Sequence, residues 1–376
     1  MPFSSLGLSP ELVRAVGESN YHAPTPIQKE AIPAVLKGKD VWACAQTGSG
    51  KTAAFALPLL ENTLKIDRGT PLRVRALILV PTRELAAQVG ESIQRFAGYL
   101  RQPLKVITVF GGVSINPQMM ALRGGADIVV ATPGRLLDLV DQNALRLTDA
   151  TTLVLDEADR LLDLGFADEL ASIIERLPRR RQNLLFSATF PHEVRVLAER
   201  LLHDPIRIDV PTSTATQPAI LQRSIHVDTA RRTQLLRHLI EKHGWTRTLV
   251  FVATKYSTGH VAEKLRRAGI PAAALSGDLS QGARTQALAD FKAARVKVLI
   301  ATDVAARGID IAQLAAVVNY DLPRSTTDYV HRIGRTGRAG QSGVAVSFVP
   351  DSAEEHFRLI EKRQGMRVPR EVVAGF

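Results

Sequence analysis

Short apolar runs recur along the chain and alternate with longer segments of mixed polarity. The runs are rich in Val, Ile and Leu and are apolar on both faces, as the strands of a buried parallel sheet are. The runs are Val41–Ala45, Ala76–Val80, Val106–Phe110, Ile128–Ala131, Thr152–Leu155, Asn183–Phe186, Thr248–Val252, Ala272–Leu275, Val298–Ala301, Ala316–Asn319 and Gly343–Phe348. Two intervening segments, Leu85–Phe96 and Gly259–Ala268, carry apolar residues at helical spacing. This alternation predicts an α/β fold whose mostly parallel sheets are flanked by helices.

A polar segment interrupts the alternation near the middle of the chain. Residues 211–218 are small and polar and are bracketed by prolines, which is typical of a linker. The chain has 376 residues, enough for two domains that each bury a core. We therefore predict a first domain over residues 1–210, a linker over 211–219 and a second domain over 220–376.

The composition excludes several classes of protein. Hydrophobic residues make up 45% of the chain and charged residues 23%, as in ordinary globular proteins. No apolar run approaches the roughly 18 residues of a membrane span, and residues 1–5 do not resemble a signal peptide. The single cysteine, Cys44, excludes an internal disulfide. We expect a cytoplasmic protein with no membrane partner.

The chain is strongly basic. Its net charge of +11 at pH 7 suits a polyanionic partner such as a nucleic acid. Aromatic residues make up only 5% of the chain, which argues against a protein that stacks many bases. A partner that is held by its phosphate-sugar backbone fits both values better.

A glycine-rich phosphate loop follows the first apolar run and precedes a predicted helix. Its residues are Ala45, Gln46, Thr47, Gly48, Ser49, Gly50, Lys51 and Thr52. The glycines let backbone N–H groups approach phosphate oxygens at a helix N-terminus. Lys51 supplies positive charge to the β- and γ-phosphates, and Thr52 supplies a hydroxyl to Mg²⁺. The motif predicts a nucleotide with Mg²⁺ as ligands, and a chance glycine-rich turn is the alternative.

Two acids follow a predicted strand of the same domain. Asp156 and Glu157 come directly after Leu155, at the edge where open α/β sheets bind their ligands. We predict that Asp156 holds Mg²⁺ through water and that Glu157 orients and polarises the attacking water. Adjacent acids after a strand can also simply cap the next helix. The phosphate loop in the same domain favours the catalytic interpretation.

Two hydroxyl residues follow another predicted strand of the first domain. Ser187 and Thr189 could bond to the segment that ends at Asp159 and couple its state to the rest of the molecule. The alternative is a helix N-cap before Pro191, and three residues taken alone favour that cap.

A cluster of basic residues lies far downstream. Arg335 and Arg338 are three residues apart, so on a helical turn they would project toward one target. Arginine supplied across a domain gap can stabilise charge on a γ-phosphate, an effect of about 10³–10⁵ in rate. His331 lies one turn earlier and could bond to Asp159 or to the Ser187 segment. A solvated basic helix is the alternative.

A glutamine near the N-terminus could recognise the base of the nucleotide. Gln28 follows two prolines, and its amide could donate to N7 and accept from the N6 amino group of adenine. Phe3 or Tyr21 could stack on the same base. This set would select ATP over GTP.

These motifs, in this order, resemble those of the DEAD-box RNA helicases over almost the whole chain. The motifs are Pro24–Gln28 with Phe3, Ala45–Thr52, Pro81–Ala86, Gly111–Gly112, Thr132–Arg135, Asp156–Asp159, Ser187–Thr189, Phe251–Lys255, Gln281 with Arg284, Ala301–Asp310 and His331–Arg338. The resemblance implies two tandem RecA-like domains, with ATP and RNA bound across the cleft between them.

The resemblance also assigns roles to residues and to the protein. The RNA contacts that it implies are Pro81, Thr82, Arg83, Gly112, Thr132, Arg135, Gly277, Arg284 and Thr302. Asp310 would contact the ATP ribose. Residues 371–376 resemble the core end of the bacterial RhlE-like subgroup, which is tied to ribosome assembly and RNA turnover. Ribosomal RNA or a ribonucleoprotein is therefore an expected partner of a monomeric chain.

Two features depart from the family pattern. Ser276 stands before Gly277 where the family usually has histidine, which puts the RNA contact there in doubt. The sequence also stops soon after the helicase core, without the basic or glycine-rich tail of many relatives. We expect RNA binding with little sequence preference.

The motifs together predict that ATP and RNA draw the two domains together and that closure bends one RNA strand. A bent strand cannot stay paired, so local, non-processive unwinding is expected. An ATP-gated RNA clamp and a DNA translocase are alternatives, although the DEAD spelling and Gln28 argue against DNA. An inactive relative is a third alternative, but it would have lost Lys51, Glu157 or Arg338, and all three are present.

Overall fold

The computed structural model describes residues 2–19, 21–45, 48–66, 69, 71–210, 220–306, 314–337 and 343–376, the side chain of Thr327 excepted. The chain divides into two compact units, residues 1–212 and 213–376. The predicted linker 211–219 lies outside the described residues, and the domain roles that the sequence suggests stay predictions. Within the described ranges, no helix combines the length and apolarity needed to cross a membrane.

Unit 1 contains a parallel sheet of seven described strands in the order β3-β4-β2-β5-β6-β1-β7. The strands are β1 Val41–Cys44, β2 Ala76–Leu79, β3 Val106–Val109, β4 Ile128–Ala131, β5 Thr152–Leu155, β6 Gln182–Ser187 and β7 Ile206–Asp209. The helices are α1 Pro10–Glu18, α2 Pro26–Leu36, α3 Lys51–Leu64, α4 Arg83–Ala97, α5 Asn116–Ala121, α6 Pro133–Asp141, α7 Ala158–Asp163, α8 Ala167–Glu175 and α9 His192–Leu201, and a 3₁₀ turn spans Phe3–Leu6.

Unit 2 contains a second parallel sheet of seven described strands in the order β10-β11-β9-β12-β13-β8-β14. The strands are β8 Ile220–His226, β9 Thr248–Phe251, β10 Ala272–Leu275, β11 Val298–Ala301, β12 Ala316–Asn319, β13 Gly343–Val349 and β14 Arg370–Val372. The helices are α10 Arg232–His243, α11 Lys255–Arg267, α12 Gln281–Lys292, α13 Asp303–Ala306, α14 Thr326–Ile333 and α15 Glu354–Gln364, and 3₁₀ turns span Thr229–Arg231 and Asp351–Ala353.

Successive residues of each central strand face opposite apolar layers. On β4, Ile128 and Val130 join one buried cluster, and Val129 and Ala131 join the other. The first cluster includes residues of α1 to α4, and the second includes residues of α6 to α9. The strands are apolar on both faces because helices cover both faces. The predicted parallel α/β fold is therefore confirmed.

The sequence prediction missed three strands. They are β7, β8 and β14, and two of them, β7 and β14, lie at the edges of their sheets. On β7 only Ile208 is buried, and β14 has three residues, so neither produces an apolar run. The strand β8 carries Gln222, Arg223 and Ser224, because its mixed burial tolerates polar side chains. An apolar-run criterion finds strands that are buried on both faces and misses these.

The strand order determines which loops can meet. All carboxyl ends of a parallel sheet lie at one edge, so neighbours in the sheet have neighbouring loops. In unit 1, β5, β6 and β1 are consecutive, and so are β3, β4 and β2. The first group precedes the phosphate loop and the acids, and the second precedes the segments with predicted RNA contacts. At the carboxyl edge of the unit 1 sheet, the proposed nucleotide-binding loops therefore lie beside the loops with predicted RNA contacts.

Candidate functional site

The phosphate loop lies between β1 and α3, as the motif requires. Gly48 and Gly50 have φ values of +84° and +90°, a left-handed conformation that glycine adopts without strain. A Cβ at Gly50 would lie only 2.4 Å from Gln28 Nε2. Gln46 and Thr47 lie outside the described residues. The loop leads into a helix of 14 residues, whose N-terminal N–H groups and dipole favour an anion.

Lys51 occupies the first position of α3 and is buried. Its Nζ donates a hydrogen bond of 2.7 Å to the Ala45 carbonyl oxygen, which folds the side chain back along the loop. The Ser49 Oγ is buried and has no hydrogen-bond partner in the described part of the chain. Thr52 is half-buried in the first helical turn. A cation and two hydroxyls thus gather at this helix terminus.

Asp156 lies at the carboxyl end of β5 and is 3% exposed. Its Oδ1 accepts a hydrogen bond of 3.0 Å from the Glu157 N–H. Burial raises the pKa of Asp156 to about 7, and the positive charge of Lys51 offsets only part of that effect. The carboxyl group is therefore short of positive charge, which is the condition that a divalent cation would relieve.

Glu157 is held in an unusual conformation between β5 and α7. Its φ and ψ of 53° and 52° are left-handed, a region that costs a non-glycine residue about 1–3 kcal/mol and often marks functional sites. Its Oε2 accepts a hydrogen bond of 2.7 Å from Arg160 Nη1, and both side chains are buried. The sequence prediction did not assign Arg160 a role. Its position three residues after Glu157 at the start of a helix was the available signal.

Asp159 connects the acidic segment to the end of β6. Its N–H donates to Ser187 Oγ at 3.2 Å. Its Oδ2 accepts from the Thr189 N–H at 3.0 Å and from the Thr189 hydroxyl at 2.8 Å. The structure thus contains the contact that the coupling interpretation requires, while the coupling role stays a prediction. The N-cap alternative is wrong, because α9 has Pro191 at its N-cap and no side-chain cap.

The amide of Gln28 is engaged within unit 1. Nε2 donates to the Gly50 carbonyl oxygen at 3.1 Å, and Oε1 accepts from the Thr25 N–H at 2.9 Å. The side chain is fully buried, so Gln28 joins the start of α2 to the phosphate loop. Phe3 is also buried, and its ring contacts that of Tyr21 edge-on at 6.4 Å. Contacts of these residues with adenine stay predictions.

The predicted RNA residues of unit 1 follow the neighbouring strands β2, β4 and β3. Pro81 is buried after β2, and Thr82 caps α4 by accepting from the Leu85 N–H at 3.2 Å. Arg83 Nη1 donates to the Gly112 carbonyl oxygen at 3.4 Å. Gly112 has a φ of +76°, and a Cβ there would lie 2.4 Å from Arg83 Nη1. Glycine is therefore required for this close approach.

The loop after β4 makes a second set of contacts to the loop after β3. Thr132 Oγ1 accepts from the Gly111 N–H at 3.3 Å, and Arg135 Nη2 donates to the Val113 carbonyl oxygen at 2.8 Å. Arg135 Nε lies 3.5 Å from Asp138 Oδ2. Its Nη1 is buried and lacks a hydrogen-bond partner among the described residues. A buried guanidinium with a spare donor suits an anionic ligand such as a phosphate.

The predicted RNA residues of unit 2 follow β10 and β11. Gly277 is exposed, whereas Arg284 is 3% exposed. Arg284 donates to the carbonyl oxygens of Ser276 at 3.0 Å and Ala305 at 3.4 Å. Thr302 Oγ1 accepts from the Ala305 N–H at 3.4 Å. Arg284 thus braces the loops that carry Gly277 and Thr302, and its own contact with RNA stays a prediction.

Arg332 is buried and hydrogen-bonds to three other residues, and the sequence prediction gave it no role. Its Nε and Nη2 donate to the two carboxylate oxygens of Asp303 at 2.6 Å each. Nη1 donates to Asn319 Oδ1 at 3.0 Å and to the Asp321 carbonyl oxygen at 2.7 Å, and the guanidinium lies over Phe251. Arg332 therefore joins α14 to the ends of β9, β11 and β12.

The predicted arginine pair is only partly described. His331 lies half-buried in the last turn of α14. Arg335 is buried in the turn that follows α14, where its N–H donates to the Arg332 carbonyl oxygen at 3.1 Å. Its projection toward the same target as Arg338 stays a prediction. The helix ends at Ile333, and Thr336 pairs with Leu314, which redirects the chain. Arg338 and the predicted ribose contact, Asp310, lie outside the described residues.

Comparisons with known families identify both units. Residues 25–197 match the family model described as DEAD/DEAH box helicase. Residues 231–340 match the model described as helicase conserved C-terminal domain.

Individual relatives match nearly the whole chain. The ATP-dependent RNA helicase DeaD of Mycobacterium tuberculosis is 45% identical over 96% of this chain and 63% of its own length. The DEAD-box ATP-dependent RNA helicase CshA of Bacillus cereus is 40% identical over 98% of this chain and 69% of its own. The chain thus spans less than two thirds of the DeaD relative. The S. cerevisiae Dbp5 structure bound to RNA and ADP BeF3 covers 99% of this chain and 95% of its own, with 34% identity and a TM-score of 0.86.

Proposed function

Because the chain belongs to the DEAD-box helicase family, we propose that it is an ATP-dependent RNA helicase with RNA-stimulated ATPase activity. The strand order β5-β6-β1 carries this proposal. It brings the acids after β5, the hydroxyls after β6 and the phosphate loop after β1 to adjacent positions on one sheet edge. A phosphate-binding terminus beside buried acids is what nucleotide hydrolysis requires.

The residues present fit ATP and Mg²⁺. Lys51 and the N-terminus of α3 would hold the phosphates, and Thr52 and Asp156 would hold the cation, with Gln28 and Asp310 on the base and ribose. The described residues contain no group of three or more His, Cys, Asp or Glu side chains that could hold a metal. Mg²⁺ on a nucleotide needs no such group, because phosphates and water supply most of its ligands.

The chain's own residues would provide positioning and charge for hydrolysis. Glu157 accepts a proton from the attacking water, and Lys51 neutralises charge on the phosphates. Arg335 and Arg338 of unit 2 would stabilise the developing charge on the γ-phosphate, and His331 would join the Asp159–Ser187 network. Held by Thr52 and Asp156, Mg²⁺ would supply positive charge that stabilises the negative charge of the phosphates.

RNA would be held by its backbone across both units. Arg83 and Arg135 contribute charge on unit 1, and the loops braced by Arg284 contribute backbone groups on unit 2. Closure of the units on ATP bends one strand and releases it from its complement. Stacking contributes about 1.4 kcal/mol per base-pair step, so one closure opens a few pairs. Unwinding is therefore local and non-processive.

The finer assignments belong to the same proposal. Residues 371–376 support the RhlE-like subgroup, whereas the relatives named above carry the names DeaD and CshA. We propose a monomeric cytoplasmic protein that acts on ribosomal RNA or a ribonucleoprotein during ribosome assembly or RNA turnover.

The test is ATPase activity with ribosomal RNA, generic single-stranded RNA, DNA or no nucleic acid, together with strand displacement on a short RNA duplex. Stimulation by RNA and displacement of the duplex are expected. Stimulation without displacement would favour an ATP-gated clamp. Equal stimulation by DNA would favour a translocase, and no hydrolysis under any condition would favour an inactive relative.

A further inference from the structure

Tyr256 is the most exposed large hydrophobic side chain in the described part of the chain, at 78%. It occupies the first turn of α11. Its ring stacks on the His260 ring with centroids 5.6 Å apart and planes inclined by 17°. The residues are one helical turn apart, so the two rings support each other from a rigid element. The face of Tyr256 away from His260 is left available to a further planar group.

The position of α11 places this pair beside the proposed RNA-binding loops of unit 2. Lys255, the residue before Tyr256, pairs with Asp278 at 2.6 Å. A Cβ placed at Gly277 would lie 3.6 Å from Lys255 Cε. The strands β10, β11 and β9 are consecutive in the sheet, and their carboxyl ends lead to Gly277, Thr302 and Lys255 respectively. The first turn of α11 is thus tied to the loop that carries Gly277.

The proposed RNA contacts contain no aromatic residue. They hold the phosphate-sugar backbone, which fixes the position of the strand but leaves its bases without a protein surface. An unpaired base in water gains from stacking on an aromatic ring, by about 1–3 kcal/mol per base in other single-strand binders. An exposed tyrosine next to a backbone-binding loop supplies such a surface.

We propose that the Tyr256–His260 pair is a stacking platform for one unpaired nucleobase of the bound RNA strand. The proposal rests on the proposed function, because it requires RNA to run along the loop of Gly277. Every base has a π face, so the platform accepts any base. A base paired and stacked within a duplex cannot occupy it. The platform therefore favours the separated strand and adds to the unwinding that closure begins.

The experiment measures the affinity of the full chain for a single-stranded oligoribonucleotide in the presence of a non-hydrolysable ATP analogue. Tyr256→Ala should weaken binding by about 5- to 100-fold, as loss of one stacked base does elsewhere. Tyr256→Phe should bind like the parent, because it keeps the ring. Leu359→Ala is the matched control, since Leu359 is another exposed apolar residue of unit 2, at 60%, and it should have no effect.

Abasic substitutions in the RNA identify the base. Each oligonucleotide lacks one base. The one that lacks the stacked base should bind the parent more weakly, and the others should bind as the intact strand does. With that one oligonucleotide, Tyr256→Ala should cause no further loss of affinity. Unchanged RNA affinity of Tyr256→Ala, or an equal loss with every abasic oligonucleotide, would overturn the platform, and the latter would indicate a role of Tyr256 other than base stacking. If the parent shows no RNA-stimulated ATPase, the proposed function itself fails, and the platform fails with it.

Discussion

Two clusters, one in each unit, combine carboxylates with basic side chains, but the pKa values of Asp156 in unit 1 and Glu361 in unit 2 shift in opposite directions. In unit 1, the positive charge of Lys51 acts on Asp156, and Arg160 donates a hydrogen bond to Glu157. In unit 2, Arg370 donates two hydrogen bonds to Glu354, at 2.9 and 3.1 Å, and two to Glu361, at 2.9 and 3.0 Å. The residues of the unit 1 cluster are buried, whereas in unit 2 Glu361 is buried and Arg370 and Glu354 are partly exposed.

The pKa directions separate the two clusters. Burial raises the pKa of Asp156 to about 7, because Lys51 offsets it only in part. In unit 2, burial also acts to raise the pKa of Glu361, but hydrogen bonds from Arg370 and the Val368 N–H outweigh it, and that pKa lies below its usual range. The hydrogen bond from Arg370 likewise lowers the pKa of Glu354.

The difference shows which cluster is complete. The acids of unit 2 have all the positive charge they need within the protein, so the cluster anchors β14 to α15. The acid of unit 1 is buried without enough positive charge, which is costly unless a ligand supplies it. Charge balance therefore distinguishes the structural cluster of unit 2 from the proposed binding site of unit 1.

Glu157→Gln should produce the largest effect, because it removes the proposed base from the incomplete cluster. We expect RNA-stimulated turnover to fall by about 10²–10⁴-fold, with the affinity for ATP little changed. The melting temperature should fall as well, because the buried Arg160 loses its charged partner. Steady-state ATPase and equilibrium nucleotide binding measure turnover and affinity. Glu175→Gln is the control, since Glu175 is an exposed acid on α8. Turnover equal to that of the parent would refute the role of Glu157.

Arg370→Ala tests the complete cluster. It leaves the buried Glu361 carboxylate without its partner, so we expect the free energy of unfolding of unit 2 to fall by about 3 kcal/mol. That value is at the low end for buried pairs because a quarter of the Arg370 side chain is exposed, at 24%. Turnover per folded molecule should not change.

The two tryptophans allow the units to be followed separately. Trp42 lies in unit 1 and Trp245 in unit 2, so fluorescence of the Trp42→Phe background reports urea unfolding of unit 2. Arg363→Ala, on the exposed face of α15, should leave the midpoint unchanged. A loss of ATPase activity without loss of stability in Arg370→Ala would erase the distinction between the clusters.

The sequence predicted the fold well because parallel strands buried on both faces leave a clear apolar signal. It failed at the edge strands β7 and β14 and at β8, whose mixed burial tolerates polar residues. The pattern also did not indicate where α14 ends, because periodicity cannot register the bridge between Thr336 and Leu314 that follows the helix. Edges and helix ends depend on tertiary contacts that local pattern does not contain.

The sequence predicted the residues of the candidate site that belong to recognisable motifs. Spacing identified the phosphate loop, the acids and the hydroxyls, but not the partners that hold them. Arg160 and Arg332 were missed because a charged side chain on a helix is expected to be solvated. A signal did exist for Arg332, which lies three residues after the buried Tyr329 and therefore on the same face of α14.

Arg160→Ala tests whether this missed partner positions Glu157. The strained backbone of Glu157 and its contact with Arg160 fix the carboxylate, and a misplacement of about 1 Å can cost up to 10²-fold in rate. We expect turnover to fall by about 10- to 100-fold at unchanged KM for ATP. Arg160→Lys should recover part of the loss, because it retains the charge. A purely structural role would instead lower the melting temperature and leave the turnover of the folded fraction intact.

The pH dependence of stability should have opposite signs in the two units, over pH ranges that barely overlap. The pKa of Asp156 is raised from 3.8 to about 7, so the folded state holds more protons than the unfolded state between these values. Unit 1 therefore loses stability as pH rises from about 4 to 7. The pKa of Glu361 is lowered below 4.5, so the stability that it gives unit 2 is present above that value and lost as pH falls through it. Urea unfolding at several pH values, followed through each tryptophan, measures the pH dependence of each unit. Asp156→Asn should flatten the dependence of unit 1, and Arg370→Ala should flatten that of unit 2. Slopes of the same sign in the two units would contradict the contrast between the two clusters.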